Sequence, residues 1–326
     1  MIRRLDTGGS CETPGWVAQQ LAWSGGLGLG LSSLVFFLSR AWQTGLDSWQ
    51  VDGLLLGLLL IWNGRDPIQL QRLPWFQSLR QSFRHWLQRP FGSIDSQLGG
   101  ILGISLLLTG VSWVVMALLA PTGSWDALMI WNHHAKFLYT SSSAWETLFR
   151  PDMIWWFENN YPLLVPGVVA KGWQAVGEAA YWVPLALGIL FYGLTGVLLA
   201  GTLARCKRPV YGVLALLFLL SSPTFFVIAA NQAADVPIAY YYLATFCALL
   251  PPKNESKPYG RLILAGLFAG LAAWTKNEGL LFCLVLMVSY LLAQGRAIVH
   301  HHARLSGLAL ALGMAPGLTA LITLKA

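Results

Sequence analysis

Long apolar stretches separated by short polar ones dominate the chain. The apolar stretches run at about 17–39, 48–62, 98–120, 182–204, 210–230, 236–250, 262–275, 279–293 and 305–323. A helix rises 1.5 Å per residue, so ~20 apolar residues are needed to cross a ~30 Å hydrocarbon core, and several of these stretches fall short. Taken whole, 210–250 would measure roughly 60 Å and 262–294 roughly 50 Å, too long to cross once without extreme tilt. Each therefore reads as a helical hairpin, with the tips at Asn231-Gln232-Ala233-Ala234-Asp235 and Lys276-Asn277-Glu278. The pattern predicts an all-α polytopic membrane helix bundle of about nine spans. Residues 1–97 form a two-span N-terminal extension with a basic loop, and residues 98–326 form the core.

Composition supports a lipid-dissolved chain. Only 11% of the 326 residues are charged and 56% are hydrophobic, against roughly 25% charged in an average globular protein. The net charge of +7 is spread over short runs between apolar stretches. No basic face of the kind that binds nucleic acid is present. The four cysteines, Cys11, Cys206, Cys247 and Cys283, are scattered and suggest neither a disulfide nor a metal knuckle. Met1-Ile2-Arg3-Arg4 resembles a signal-peptide start, but no cleavage site follows, so the first span reads as retained.

Lys and Arg set the orientation, because they are held on the cytoplasmic side. Arg65, Arg72, Arg80, Arg84 and Arg89 fill one loop, Arg205, Lys207 and Arg208 another, Lys253, Lys257 and Arg261 a third, and Arg296 and Arg304 a fourth. Nine crossings with the N-terminus in the cytoplasm put every cluster inside. Loop 121–181 then lies outside with an acidic excess, and the chain belongs in the plasma (inner) membrane.

This loop has structure of its own. Ser124 is placed to cap a helix running through WDALMIWNHHAKFLY, with Leu128, Trp131, Ala135 and Leu138 on one apolar stripe. Asp126, Ile130 and His133 fall on another face. Further on, Tyr161, Leu164, Val165, Val168, Gly172 and Val176 face one way, with Lys171, Gln174 and Glu178 opposite. Both segments read as interfacial helices roofing the spans. His133 and His134 are adjacent, so their side chains point apart, and solvation at the interface outweighs a metal site. Gly25 to Gly30 (GGLGLG) lies inside a span, where close helix packing is the reading rather than phosphate binding.

Asp126, Asp235 and the pair Lys276 and Glu278 therefore come to one depth from separate parts of the chain. Each has a plain reading. Asp126 could only be favoured by a helix dipole. Asp235 could cap the helix that starts at Val236-Pro237, and Lys276 and Glu278 could pair in a turn. Ionisable groups at membrane depth are costly, however, and usually face a cavity or a partner.

In their order and common sidedness, WDALMIWNHHAKFLY, NNYPLLVPGVVAKGW, NQAADVPIAYYYLA and WTKNEGLLF resemble the multispanning (GT-C fold) glycosyltransferases. The likeness is to the bacterial branch related to protein mannosyltransferases and aminoarabinose transferases, and it covers roughly 98–294. Asp126 matches that family's acidic residue after the first outward span, and Tyr161-Pro162-Leu163-Leu164 its Tyr-Pro segment. Asp235 matches its later acidic residue, and Lys276, Glu278 and Gly279 its Lys-x-Glu-Gly turn. About 95 residues precede the matching region. The chain stops at Leu324-Lys325-Ala326 where members continue, so the core reads as incomplete at its C-terminus.

The resemblance implies transfer of a hexosyl or pentosyl group from a polyprenyl-phosphate donor to a lipid, glycan or protein acceptor on the outer face. Such transfer needs a base for the acceptor hydroxyl and a cation or metal for the departing phosphate. Asp126 is the candidate catalytic base. Lys276 is the candidate phosphate partner, with Lys136 and Arg150 behind it. Asp235, Glu278 and Tyr161 complete the substrate-binding set. A divalent ion held by Asp126 and Asp235 is an option the oxygen ligands allow, and no other cofactor is implied. Attack opposite the leaving group implies inversion at the sugar carbon. A transporter or flippase would place polar residues along its spans, and the span centres here are nearly free of charge. A non-catalytic scaffold and a polysaccharide polymerase are the remaining rivals.

Overall fold

A computed structural model describes residues 14–44, 50, 52–53, 94–140, 146–147, 150, 160–206, 209–250, 259–295 and 301–325. Most of the expected 48–62 span lies outside them. So do Arg65, Arg72, Arg80, Arg84, Arg89, Lys207, Arg208, Lys253, Lys257, Arg296 and Cys11. Among the described residues all regular structure is helical.

In chain order the helices are α1 (Pro14–Ala41), α2 (Ile94–Leu119), a π-helical turn (Ala127–Trp131) running into α3 (Asn132–Thr140), α4 (Leu164–Val176) and α5 (Trp182–Cys206). They continue as α6 (Pro209–Leu220), α7 (Pro223–Ala230), α8 (Asp235–Leu249), α9 (Tyr259–Thr275), α10 (Asn277–Gln294) and α11 (His301–Lys325). Every expected stretch that falls within the described residues is thus helical. Among the described residues five helices are long and apolar enough to cross a membrane, or six if α6 and α7 count as one bent span. The stretch 210–230, expected as one leg of a hairpin, bends by 65° between α6 and α7. The break has a local cause. Ser222 accepts a hydrogen bond from the Phe225 N–H at 3.3 Å and restarts the helix, with Pro223 in its first turn.

α9 is the centre of the bundle. From Arg261 to Thr275 every residue but Ile263 is buried. Its closest partner is α11, and the approach depends on small residues. A methyl group at Gly266 would come 2.1 Å from the Leu310 carbonyl oxygen, one at Gly313 2.2 Å from that of Ile263, and one at Gly317 2.0 Å from that of Gly270. Two glycines four apart on each helix therefore mesh backbone to backbone. This is how helices gain contact where lipid tails are as apolar as the side chains they would displace.

α1 comes from the segment expected to be an N-terminal extension, and it lies inside this packing against α4, α5, α8, α9 and α11. Its glycine run does what close packing requires. Gly26 sits where a methyl would strike the Tyr240 ring, and the Tyr240 and Tyr241 hydroxyls donate to the carbonyls of Ala22 and Gly26 at 2.7 and 2.9 Å. α2 instead leans on α5 and α6 with much of its length bare; Ile104, Leu107 and Leu118 are all exposed. An exposed apolar helix of this length suits a lipid-facing one.

The segments expected to lie flat in the interface are more deeply built in. The π-turn hydrogen-bonds one residue further along the chain than an α-helix, which rotates the stripe read from the sequence. Ala127, Ile130, Trp131, His134, Ala135 and Leu138 are buried, while Leu128 is turned out. In α4, Leu164, Val165, Pro166, Gly167, Val169 and Ala170 are all buried, so its first two turns are covered on both sides rather than along one face. α3 and α1 supply that cover.

Candidate active site

Lys276 is the single residue between α9 and α10. Its backbone is extended (φ −149°, ψ 158°) between two helices. The joint is closed by the Lys276 N–H donating to Ala272 at 3.2 Å and by the Gly279 N–H donating to Lys276 at 2.9 Å. Gly279 allows the turn to be this tight, since a methyl there would lie 2.1 Å from the Ala272 carbonyl oxygen. The glycine of the Lys-x-Glu-Gly sequence is thus explained by close approach.

The Lys276 ammonium donates to Asp235 at 3.1 Å, lies 3.4 Å from the Glu278 carboxylate, and sits 5.9 Å from the Tyr161 ring centroid. The last distance is within cation–π range. The lysine side chain is 13% exposed and its two carboxylate partners are 50% and 57% exposed. Burial alone would lower the lysine pKa. The hydrogen bond to Asp235 and the charges of Asp235 and Glu278 outweigh burial, so the pKa is raised. Lys276 is thereby a fixed cation and not a proton acceptor at neutral pH.

Asp235 is the first residue of α8. The capping position belongs to Ala234, with no side-chain cap bond, so the plain capping role open to Asp235 is not the one adopted. It pairs with Lys276 instead.

The loop before it is held by Gln232, which the sequence reading placed at a hairpin tip without giving it a role. Gln232 is buried and adopts a left-handed backbone (φ 59°). Its amide donates to the Pro121 carbonyl at 2.9 Å and accepts from Asn132 at 3.3 Å. A non-glycine residue at positive φ is strained, and these contacts hold it there. The available signal was an amide in a polar break between two apolar stretches.

Ser124 caps its helix as expected, accepting from the Ala127 N–H at 3.4 Å. Its own N–H donates to the Asn231 carbonyl at 3.2 Å. The segment bearing Asp126 is therefore tied at Ser124 and at Asn132 to residues 231 and 232, just ahead of Asp235. Asp126 itself is exposed and makes no cap bond. Direct contacts unite Tyr161, Asp235, Lys276 and Glu278; Asp126 joins them only through this segment and through Trp131, whose ring lies 5.1 Å from that of Tyr161. Lys136 and Arg150 are both exposed. Lys325, which the sequence reading passed over, reaches the same end from the last turn of α11. Its ammonium donates to the Asn160 carbonyl at 3.3 Å, next to Tyr161.

His134 is not solvated as expected. It is 1% exposed, neither ring nitrogen has a hydrogen-bond partner, and burial together with the neighbouring His133 lowers its pKa to about 4. It is a neutral core residue. Among the described residues no three His, Cys, Asp or Glu side chains gather as a metal site requires. Asp235 also turns one oxygen to Lys276. This donor set does not fit a preformed divalent site. A cleft of about 430 Å³ opens nearby, lined by Ala117, Pro121, Glu178, Tyr181 and Trp182, and holds none of the candidate residues.

Residues 162–319, just under half of the chain, match the family described as dolichyl-phosphate-mannose-protein mannosyltransferase. The matched region contains Asp235, Lys276 and Glu278, begins one residue after Tyr161, and leaves Asp126 and α1 outside. This similarity, with the apolar helices, supports a multi-pass membrane glycosyltransferase. No curated protein and no solved structure matches the chain.

Proposed function

We propose that the chain transfers a hexosyl or pentosyl group from a polyprenyl-phosphate donor to an acceptor hydroxyl on the outer face of the plasma (inner) membrane, with inversion. The observation that carries this reading is the Lys276 ammonium, kept charged and largely buried at the joint of two short helices. α8 has 15 residues and α9 has 17, about 22 and 25 Å, less than a ~30 Å core. A shared end just beneath the outer hydrocarbon boundary brings the ammonium within reach of a lipid phosphate. Arg205 and Arg261 mark the opposite end, which supports an inner side there.

In the reaction, Asp126 takes the proton of the acceptor hydroxyl. The oxygen attacks the sugar's anomeric carbon from the face opposite the phosphate, and the carbon–oxygen bond to phosphate breaks. The electron pair leaves with the phosphate, where Lys276 meets the developing charge. Asp235 and Glu278 hold the ammonium in place, and Tyr161 covers it. Tyr161 offers an aromatic face beside that cation, and a charge in a water-poor setting acts more strongly than in bulk solvent.

The reading is tested by assaying membranes that hold wild type or Asp126→Ala against a panel of polyprenyl-phosphate sugars. Transfer by wild type and its loss in the variant are expected. Equal transfer by both would remove Asp126 as base, and absence of transfer by either across the panel would favour a scaffold.

A further inference from the structure

Hydroxyls on membrane helices ordinarily satisfy themselves by bonding back to the carbonyl four residues earlier. Most here do so: Thr109, Ser112, Thr195, Thr245, Thr275 and Thr323 each donate to their own helix at 2.7–3.0 Å. Ser33 on α1 does not. It is fully buried, and its hydroxyl donates across to the carbonyl of Leu164 at 2.9 Å, with that of Leu163 at 3.3 Å. The same oxygen accepts the Trp274 indole N–H at 3.2 Å.

The partners of Ser33 lie at two informative places. Leu163 precedes and Leu164 opens α4, two and three residues after Tyr161. Trp274 stands in the last turn of α9, two residues before Lys276. One hydroxyl thus joins the backbone that carries the Tyr161 ring to the helix that carries the ammonium beneath it. The packing leaves little freedom. Trp274 is fully buried with its ring 5.0 Å from that of Phe37, one turn on from Ser33. Gly167 faces the serine so closely that a methyl there would lie 2.5 Å from Oγ. Beside it, Ser32 and Asp52 both bond the Lys171 ammonium of α4, so α1 grips that helix a second time.

We propose that Ser33 is a positioning residue, whose bridge between α4 and α9 sets the spacing of Tyr161 and Lys276. The proposal rests on the glycosyl-transfer reading for its effect on rate, and not for its effect on geometry. It also gives α1, which precedes the region of family similarity, a part in the site.

The test uses the full chain with 3-fluorotyrosine at position 161, in wild type, Ser33→Ala, Ser33→Thr and Trp274→Phe. Fluorine resonance reports the surroundings of Tyr161 without any substrate. Ser33→Ala and Trp274→Phe are expected to move that resonance in a common direction, and the double variant to move it no further than Ser33→Ala alone. Ser33→Thr, which keeps the hydroxyl, should return it toward wild type. In transfer assays Ser33→Ala should lower kcat about tenfold or more with KM changed by about twofold at most, the pattern of a reacting group out of place. An unmoved resonance in a folded Ser33→Ala variant would overturn the proposal. If that variant does not fold, an unmoved resonance in Trp274→Phe would do the same. A moved resonance in a chain that transfers no sugar would uphold the positioning role and reject the enzymatic reading.

Discussion

The Lys276 ammonium and the Asp235 carboxylate meet at 3.1 Å although 41 residues separate them in the chain. The pair joins the first residue of α8 to the residue that follows α9, at one end of two neighbouring helices. One partner is nearly buried and the other half exposed. Such a pair adds little to stability, since solvent screens the exposed side. It does fix where a cation stands.

Replacing that cation should therefore be felt in catalysis more than in folding. Lys276→Gln is expected to lower kcat/KM about a hundredfold, the usual loss when one group that stabilises a transition-state anion is removed. Lys276→Arg should retain part of the activity. Steady-state transfer of a labelled sugar from a polyprenyl-phosphate donor checks both.

The two aspartates should separate by kinetic signature. Asp126→Asn removes the proposed base and should reduce kcat by about 10²-fold or more. Asp235→Asn leaves the ammonium in place with a weaker partner, and should cost less and act mainly through KM. The two kcat/KM splits, measured side by side, decide the assignment.

His134 gives a pH prediction whose sign follows from burial. Its folded pKa, about 4, lies below its ordinary 6.5, so the unfolded chain takes up the proton first. The stability held by neutral His134 is complete above pH 6.5 and is lost as pH falls toward 4. At ~1.4 kcal/mol per pH unit the full effect is about 3 kcal/mol. Thermal unfolding in detergent should show a lower Tm at pH 5 than at pH 7.5, and His134→Phe should flatten that difference.

The α9–α11 interface should tolerate no side chain at its meshing glycines. Gly317→Leu would drive atoms into the Gly270 backbone, and overpacking of this kind costs about 1–3 kcal/mol or more. A similar change at Gly103, where nothing lies within 4 Å, should be nearly neutral. Thermal denaturation of the two variants checks the contrast.

Local pattern alone was enough to tell that this chain is helical and membrane-bound, because apolar runs are long and charges few whatever the fold. It also located the glycine run of α1, the Ser124 cap, and the turns bearing Asp235 and Lys276, since each depends on neighbours a few residues away. The break at Ser222-Pro223 was legible in the same way but passed unread. Tertiary structure alone decided which residues meet: that Asp235 pairs with Lys276 instead of capping, that His134 is buried, that Gln232 holds the loop, and that Lys325 arrives beside Asn160. The reason is physical. A π-turn rotates a helix face by a fraction of a turn, and a buried hydroxyl such as Ser33 can bond any carbonyl within 3 Å. Such choices depend on which helix lies alongside, which no single stretch of sequence contains.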